Sequence, residues 1–236
     1  MRGNRGARWH EGNTGSNYKF NPGTAGNGDM GRGLFITLEG PDGSGKTTQM
    51  DRLEEYLHRR GLAVERTREP GGTLLSEAIR RLLLEPSYSP VDARAELFLY
   101  AAARAQHVAE RIRPALAAGK IVLCDRFSDS TLAYQGYGRQ LGAELVERLN
   151  DLATGNLRPD ITFLIDVPVA IGLGRHSGGS DRLEQEDLEF HRRVRQGYLD
   201  LARREPRRVH LIDGTPSPDV VWEEIKEILD ARLERL

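Results

Sequence analysis

Cysteine is almost missing from this sequence: Cys124 alone among 236 residues excludes an intramolecular disulfide, and with it the small secreted scaffolds that depend on such cross-links. Cys124 lies in the apolar run Ile121-Val122-Leu123-Cys124, where it reads as a small buried hydrophobe suited to a reducing cytoplasm. Long apolar runs are missing too. No stretch approaches the ~18–20 apolar residues of a membrane span, and the N-terminus lacks the apolar core of a secretory signal, so no membrane partner is expected. Net charge is equally scarce, since 34 basic and 35 acidic groups leave −1. The chain as a whole therefore has no general attraction for nucleic acid, and any phosphate binding must come from local sites.

What is present fits a globular protein, with 38% hydrophobic and 29% charged residues in a length that suits one sizeable domain. Residues 1–32 are rich in Gly, Asn and Arg without periodicity and read as a disordered extension, within which Met30 offers an alternative start. Residues 33–236 read as one catalytic domain. There, short apolar runs alternate with longer amphipathic stretches, the pattern of βα units feeding a parallel sheet in an α/β fold. Strands are expected at Leu34–Glu39, Ala63–Arg68, Ile121–Asp125, Ile161–Asp166 and Val209–Asp213, four of the five ending in a carboxylate. Helices are expected from Lys46 towards Arg60, near Leu75–Leu84, over Ala93–Ala117, around Ala143–Thr154, from Glu184 to Arg204, and from Asp219 to the C-terminus. In such sheets ligands collect at the strand carboxyl ends.

The first strand runs into Gly40-Pro41-Asp42-Gly43-Ser44-Gly45-Lys46-Thr47, followed by Thr48. This is a complete G-x-x-x-x-G-K-[ST] pattern between a strand and a helix, and it predicts a nucleoside triphosphate site on a P-loop NTPase three-layer sandwich with a five-stranded parallel sheet flanked by helices. Glycines let successive N–H groups point inward at a polyphosphate, and the helix N-terminus adds its dipole. Lys46 supplies a cation to the β/γ-phosphates, and Thr47 can ligate Mg²⁺. A P-loop alone does not separate kinases from hydrolysing switches. The third strand adds Asp125 where it can bear on the metal shell, with Arg126 beside it to meet phosphate charge, although Ile161–Asp166 is a second apolar run ending in Asp.

From Asp125 the chain continues Arg126-Phe127-Ser128-Asp129-Ser130-Thr131-Leu132-Ala133-Tyr134-Gln135, which resembles the DR[YHF]-x-x-S-x-x-AYQ segment of thymidylate kinases. Arg68-Glu69-Pro70-Gly71-Gly72-Thr73 is similar to the bacterial REPGGT segment, Tyr100-Ala101-Ala102-Ala103-Arg104 to an aromatic-x-x-x-Arg helix, and Asp181-Arg182-Leu183-Glu184 to the end of the family's lid. The resemblance implies transfer of phosphate from ATP, with Mg²⁺, to dTMP in the supply of dTTP, by a cytoplasmic homodimer. It implies dTMP contacts at Asp42, Arg68, Pro70, Tyr100, Arg104, Arg126, Ser130, Thr131, Tyr134 and Gln135. Tyr100 and Arg104 lie one helical turn apart, so that a ring can stack on thymine while a guanidinium reaches the base edge or the acceptor phosphate. Tyr134 is similar to a residue that crowds the 2′ position, and Asp42 to an acid near the sugar hydroxyl. The loop carries no arginine at Gly43 or Ser44, which resembles the lid-arginine branch. In a lid at about 172–187, Arg175 and Arg182 flank the flap His176-Ser177-Gly178-Gly179-Ser180, and which of the two meets the γ-phosphate is open. A kinase of the same fold acting on another nucleotide, and a nucleotide-dependent switch, are the rival readings.

Overall fold

The computed structural model describes residues 33–175 and 182–234. The expected disordered extension at 1–32 and the flap at 176–180 lie outside the described residues. Five strands, β1 (Phe35–Glu39), β2 (Val64–Arg68), β3 (Ile121–Asp125), β4 (Ile161–Asp166) and β5 (Val209–Asp213), form one all-parallel sheet in the order β2-β3-β1-β4-β5. Register follows apolar content. β1, β3 and β4, nearly continuous hydrophobic runs, hold the centre with Ile36 opposite Leu123 on one side and Ile161 on the other. β2, whose sequence VERTR is largely polar, and the half-buried β5 take the edges.

Helices cover both faces. α1 (Lys46–Arg59) and α9 (Pro218–Leu233) press Met50, Leu53, Leu57, Ile225 and Leu229 onto Ile36, Leu38, Leu123 and Phe163. Between them along the chain run α2 (Leu74–Leu84), α3 (Ala93–His107), α4 (Arg113–Ala117), α5 (Ser128–Thr131), α6 (Ala143–Thr154), α7 (Val169–Arg175) and α8 (Leu188–Arg204). On the opposite face Phe35, Val122, Cys124 and Phe127 pack on Val108, Ile112 and Leu116, while Leu164 meets Tyr134, Phe190, Val194 and Tyr198. These are the three expected layers, with Cys124 fully buried.

Three boundaries differ from expectation for local reasons. The stretch 93–117 is helical throughout but loosens into a π-helical turn at Val108–Ile112, just before Pro114, which cannot donate a backbone hydrogen bond and crowds the carbonyl four residues back. α8 begins at Leu188 rather than Glu184 because the Asp187 carboxylate accepts from Phe190 N at 2.7 Å and caps the helix there. After β3, α5 runs into a second π-helical segment, Leu132–Gly138.

The parallel arrangement sets Glu39, Asp125 and Asp166 along one edge. From β1 the chain passes outward to β2, and from β3 it crosses β1 to reach β4. The crevice above β1 and β3 is thus the topological switch point of the sheet.

Candidate active site

The loop after β1 has left-handed glycines at Gly40 (φ 139°), Gly43 (φ 72°) and Gly45 (φ 95°), conformations that carry a steric penalty for side chains. Space is short as well. A Cβ on Gly43 would run into the Gly172 carbonyl, and one on Gly172 would lie 2.5 Å from the Asp42 carbonyl oxygen, so α7 rests directly on the loop through two residues without side chains. Lys46 is buried and turned onto its own loop, donating to Gly40 O at 3.0 Å and Pro41 O at 2.8 Å. Burial first, and then the Arg126 charge, bring its ammonium down to about 8 against the upward pull of Asp42, Asp125 and Glu39. Burial disfavours the charged ammonium, and a polyphosphate entering this loop would supply the anionic partner that favours it again. The exposed Thr47 and Thr48 face a cavity of about 570 Å³ that is lined by the whole loop from Asp42, by Asp125 and Arg126, and by Arg175, Gly214 and Pro216.

A second cavity, of about 180 Å³, opens on the other side of Arg126. Every residue expected to contact the acceptor lines it: Asp42, Arg68, Pro70, Tyr100, Arg104, Arg126, Ser130, Thr131, Tyr134 and Gln135. Sequence reasoning missed Glu69, Arg80, Leu84, Phe127, Leu183 and Glu184 on the same wall. Arg80 and Leu84 stand one turn apart on α2, a spacing that could have suggested a shared face. Arg68 and Arg80 both donate to Pro70 O, at 2.9 and 3.1 Å, holding that carbonyl at the cavity edge.

Asp42, Asp125 and Arg126 belong to both cavities, and form their common boundary. Arg126 adopts φ 65°, a left-handed backbone for a residue with a side chain. Its guanidinium donates to Asp42, to Gly40 O at 3.0 Å and to the Tyr198 hydroxyl at 3.1 Å, and lies over the Tyr134 ring. Burial pushes the Asp42 carboxyl up, but the Arg126 and Lys46 charges and the Tyr134 hydroxyl at 2.7 Å outweigh it, so the group is held well below the usual range. Beneath lies Glu39, fully buried, accepting from Phe127 N at 2.7 Å, the Ser130 hydroxyl and the Tyr198 hydroxyl at 3.2 Å. Burial, and then repulsion from Asp129, raise it to about 8. Glu39 and Tyr198 were not singled out from the sequence; each reads there as an ordinary strand or helix residue.

The lid residues divide. Arg175 lines the larger cavity and donates to Gly214 O at 2.8 Å and Thr215 O at 3.2 Å. Arg182, the other lid arginine, lines neither cavity in this structure. It is buried, donating to Leu83 O at 3.1 Å and to Glu96 at 2.5 Å. The reason is Glu96, fully buried in the first turn of α3, which also accepts from Gln135 at 2.8 Å and Arg139 at 3.1 Å and needs cations around it.

Two adjoining cavities, one built on a phosphate loop and one walled by aromatic, hydroxyl and guanidinium groups, are what phosphoryl transfer between two bound nucleotides requires. The thymidylate kinase family model matches residues 38–225. The chain is 52% identical over 207 residues to the thymidylate kinase of Nostoc sp., covering 86% of this chain and 98% of that protein. It is 54% identical over 203 residues to that of Syntrophotalea carbinolica, covering 81% and 93%. The crystal structure of thymidylate kinase from Ehrlichia chaffeensis superposes with a TM-score of 0.71 at 42% identity, covering 84% of this chain and 99% of that one. Loop, paired cavities and relatives agree on one assignment, and the chain belongs to the thymidylate kinase family.

Proposed function

We propose that this enzyme transfers the γ-phosphoryl group of ATP to dTMP, yielding dTDP on the route to dTTP, and that the shared boundary of Asp42, Asp125 and Arg126 is where the two nucleotides meet. That boundary carries the reading, since a hydrolysing switch needs only the loop cavity. ATP lies along Gly40–Thr48, with its phosphates on the loop amides and Lys46. dTMP enters the smaller cavity, its base between Tyr100 and the Arg104, Thr131 and Gln135 edge, its sugar beside Asp42 and Tyr134, and its phosphate on Arg126. An acceptor phosphate is already ionised at neutral pH, so the chain need not supply a strong base; alignment and charge neutralisation do the chemistry. Arg175 is the lid arginine at the donor side, and α7, seated on the loop, places the lid root against the phosphates.

Magnesium fits the residues present. Asp125 Oδ1 is buried with no hydrogen-bond partner, and Thr47 opens onto the same cavity. Among the described residues no cluster of three acidic, histidine or cysteine side chains forms a metal site of its own, as suits an ion held mainly by nucleotide phosphates. Thr47 and Asp125 would hold Mg²⁺, which supplies charge neutralisation on the transferring group.

A second copy of this chain covers the adjacent helices α2, α3 and α6, where Leu82, Phe98, Leu145 and Leu152 stand 45–69% exposed. Among the described residues no helix is long and apolar enough to cross a membrane; the single buried thiol, suited to a reducing compartment, supports a cytoplasmic enzyme. The test of function is ADP release with ATP and Mg²⁺, comparing dTMP with dUMP, CMP, UMP, AMP and no acceptor. Strong preference for dTMP with dTDP as product is expected; release indifferent to acceptor would overturn the kinase reading and leave only the loop. Phe98→Asp should convert a dimer to monomer in sedimentation.

A further inference from the structure

We propose that His107 is a positioning residue for the acceptor nucleotide, acting through Glu69 on Arg104; the inference rests on the reading of Arg104 as an acceptor contact. α3 turns Arg104 and His107 inward, exposing 1% and 0% of their surfaces. Burial of such groups is tolerated only where their polar atoms are paired. Glu69 provides the pairing. One carboxylate oxygen accepts from Arg104 at 2.7 Å, and the other meets His107 Nδ1 at 2.9 Å. Because a carboxylate only accepts, Nδ1 carries the proton; in the neutral ring Nε2 then accepts from the Thr67 hydroxyl at 2.6 Å. On the far side Arg104 donates to Asn150 Oδ1 at 2.7 Å and lies over the Phe127 ring.

Arg104 borders the acceptor cavity and His107 does not. The chain Thr67–His107–Glu69–Arg104 therefore fixes, from behind, the direction in which the remaining guanidinium N–H groups face the nucleotide. It has little play, since a Cβ on Gly72 would lie 2.7 Å from both the imidazole and Thr67 Oγ1. Without the imidazole, Glu69 is free to rotate about its terminal bond, and its hold on Arg104 loosens.

The experiment is a double-mutant cycle in steady-state kinetics on the full chain: His107→Ala, Arg104→Ala and both together, with His107→Asn as the conservative variant and Thr67→Val as a milder probe. We expect His107→Ala to raise the KM for dTMP about tenfold, the scale of one unsatisfied buried partner, with the KM for ATP unmoved. His107→Asn, whose amide can donate from the Nδ1 position, should recover most of the loss. In the Arg104→Ala background, removing His107 should change the dTMP KM no further. An undiminished His107 effect in that background, or altered thermal stability with an unchanged dTMP KM, overturns the inference. So does Thr67→Val with wild-type KM if the His107 variants fail to fold. A wild-type dTMP KM in Arg104→Ala overturns the role of Arg104, and this inference with it, yet leaves dTMP phosphorylation standing.

Discussion

The Arg126 guanidinium is bonded to the Asp42 carboxylate across the line where the donor and acceptor cavities meet. Each neutralises the other, so a nucleotide phosphate arriving on Arg126 competes with a group already in place, and the arginine is pre-aimed at the boundary. Arg126→Ala should lower kcat by about two to three orders of magnitude, the scale for losing one fixed donor to a developing charge. Because φ is 65° there, Arg126→Gly should be more stable than Arg126→Ala, by roughly 1 kcal/mol, at equal loss of rate. Near-normal single-turnover transfer in the glycine variant would remove Arg126 from the mechanism.

Glu96 should matter more to stability than to chemistry. Its removal leaves Arg182, at 5% exposure, without its carboxylate, while Arg139 keeps only Glu186. Glu96→Ala is expected to cost about 3–5 kcal/mol, read as a lower urea midpoint. A variant that unfolds at the wild-type midpoint would show the cluster to be energetically idle.

Gly172→Ala separates the lid root from the fold. The added methyl would lie 2.5 Å from the Asp42 carbonyl oxygen, so either α7 or the phosphate loop must shift. Catalysis tolerates such shifts poorly. A drop in kcat/KM for ATP of about tenfold or more, with thermal stability reduced only slightly, is the expected outcome, and Gly174→Ala, where a Cβ meets nothing within 4 Å, is the control.

Glu39 links pH to stability. Facing it are Asp129, Arg126 and Tyr198, with Ser130 and Phe127 N as further donors. Its folded-state pKa of about 8 lies above the ordinary 4.5, so between these values the folded protein binds more protons than the unfolded chain. The contribution of this group is fully present below about pH 4.5 and is lost as pH rises through about 8. Glu39→Gln, which cannot ionise, should therefore gain stability relative to the parent on going from pH 5 to pH 8.5. Parallel unfolding curves for the two proteins across that range would contradict the assignment.

Much of this was legible in sequence because strand and loop patterns are local. The phosphate loop is a contiguous backbone device, and the segments from Arg68 and Asp125 carry their residues into one cavity because both follow parallel strands that end at the same edge. What escaped was buried and polar. Glu96 and His107 share the inward face of α3 with Arg104, which the family resemblance had marked as an acceptor contact; charged residues at helical spacing ordinarily mark the solvent side, so the pattern by itself does not signal that this face turns in. The pairing of Arg182 was hidden for the same reason: its partner Glu96 lies 86 positions away. The π-helical turns were invisible because they need no composition of their own.

Two arginines from separate stretches of the chain answer to the Glu96 carboxylate on α3: Arg139 after the π-helical segment and Arg182 beyond the flap. Losing Glu96 alone strands the buried Arg182, whereas losing either arginine leaves Glu96 paired with the other, and replacing all of them by apolar residues of similar size need not be harmful. In a mutational lineage the trio is therefore asymmetric: a first step away from it falls on an arginine rather than on the acid, and relatives that lack Glu96 should be found to lack Arg182 as well.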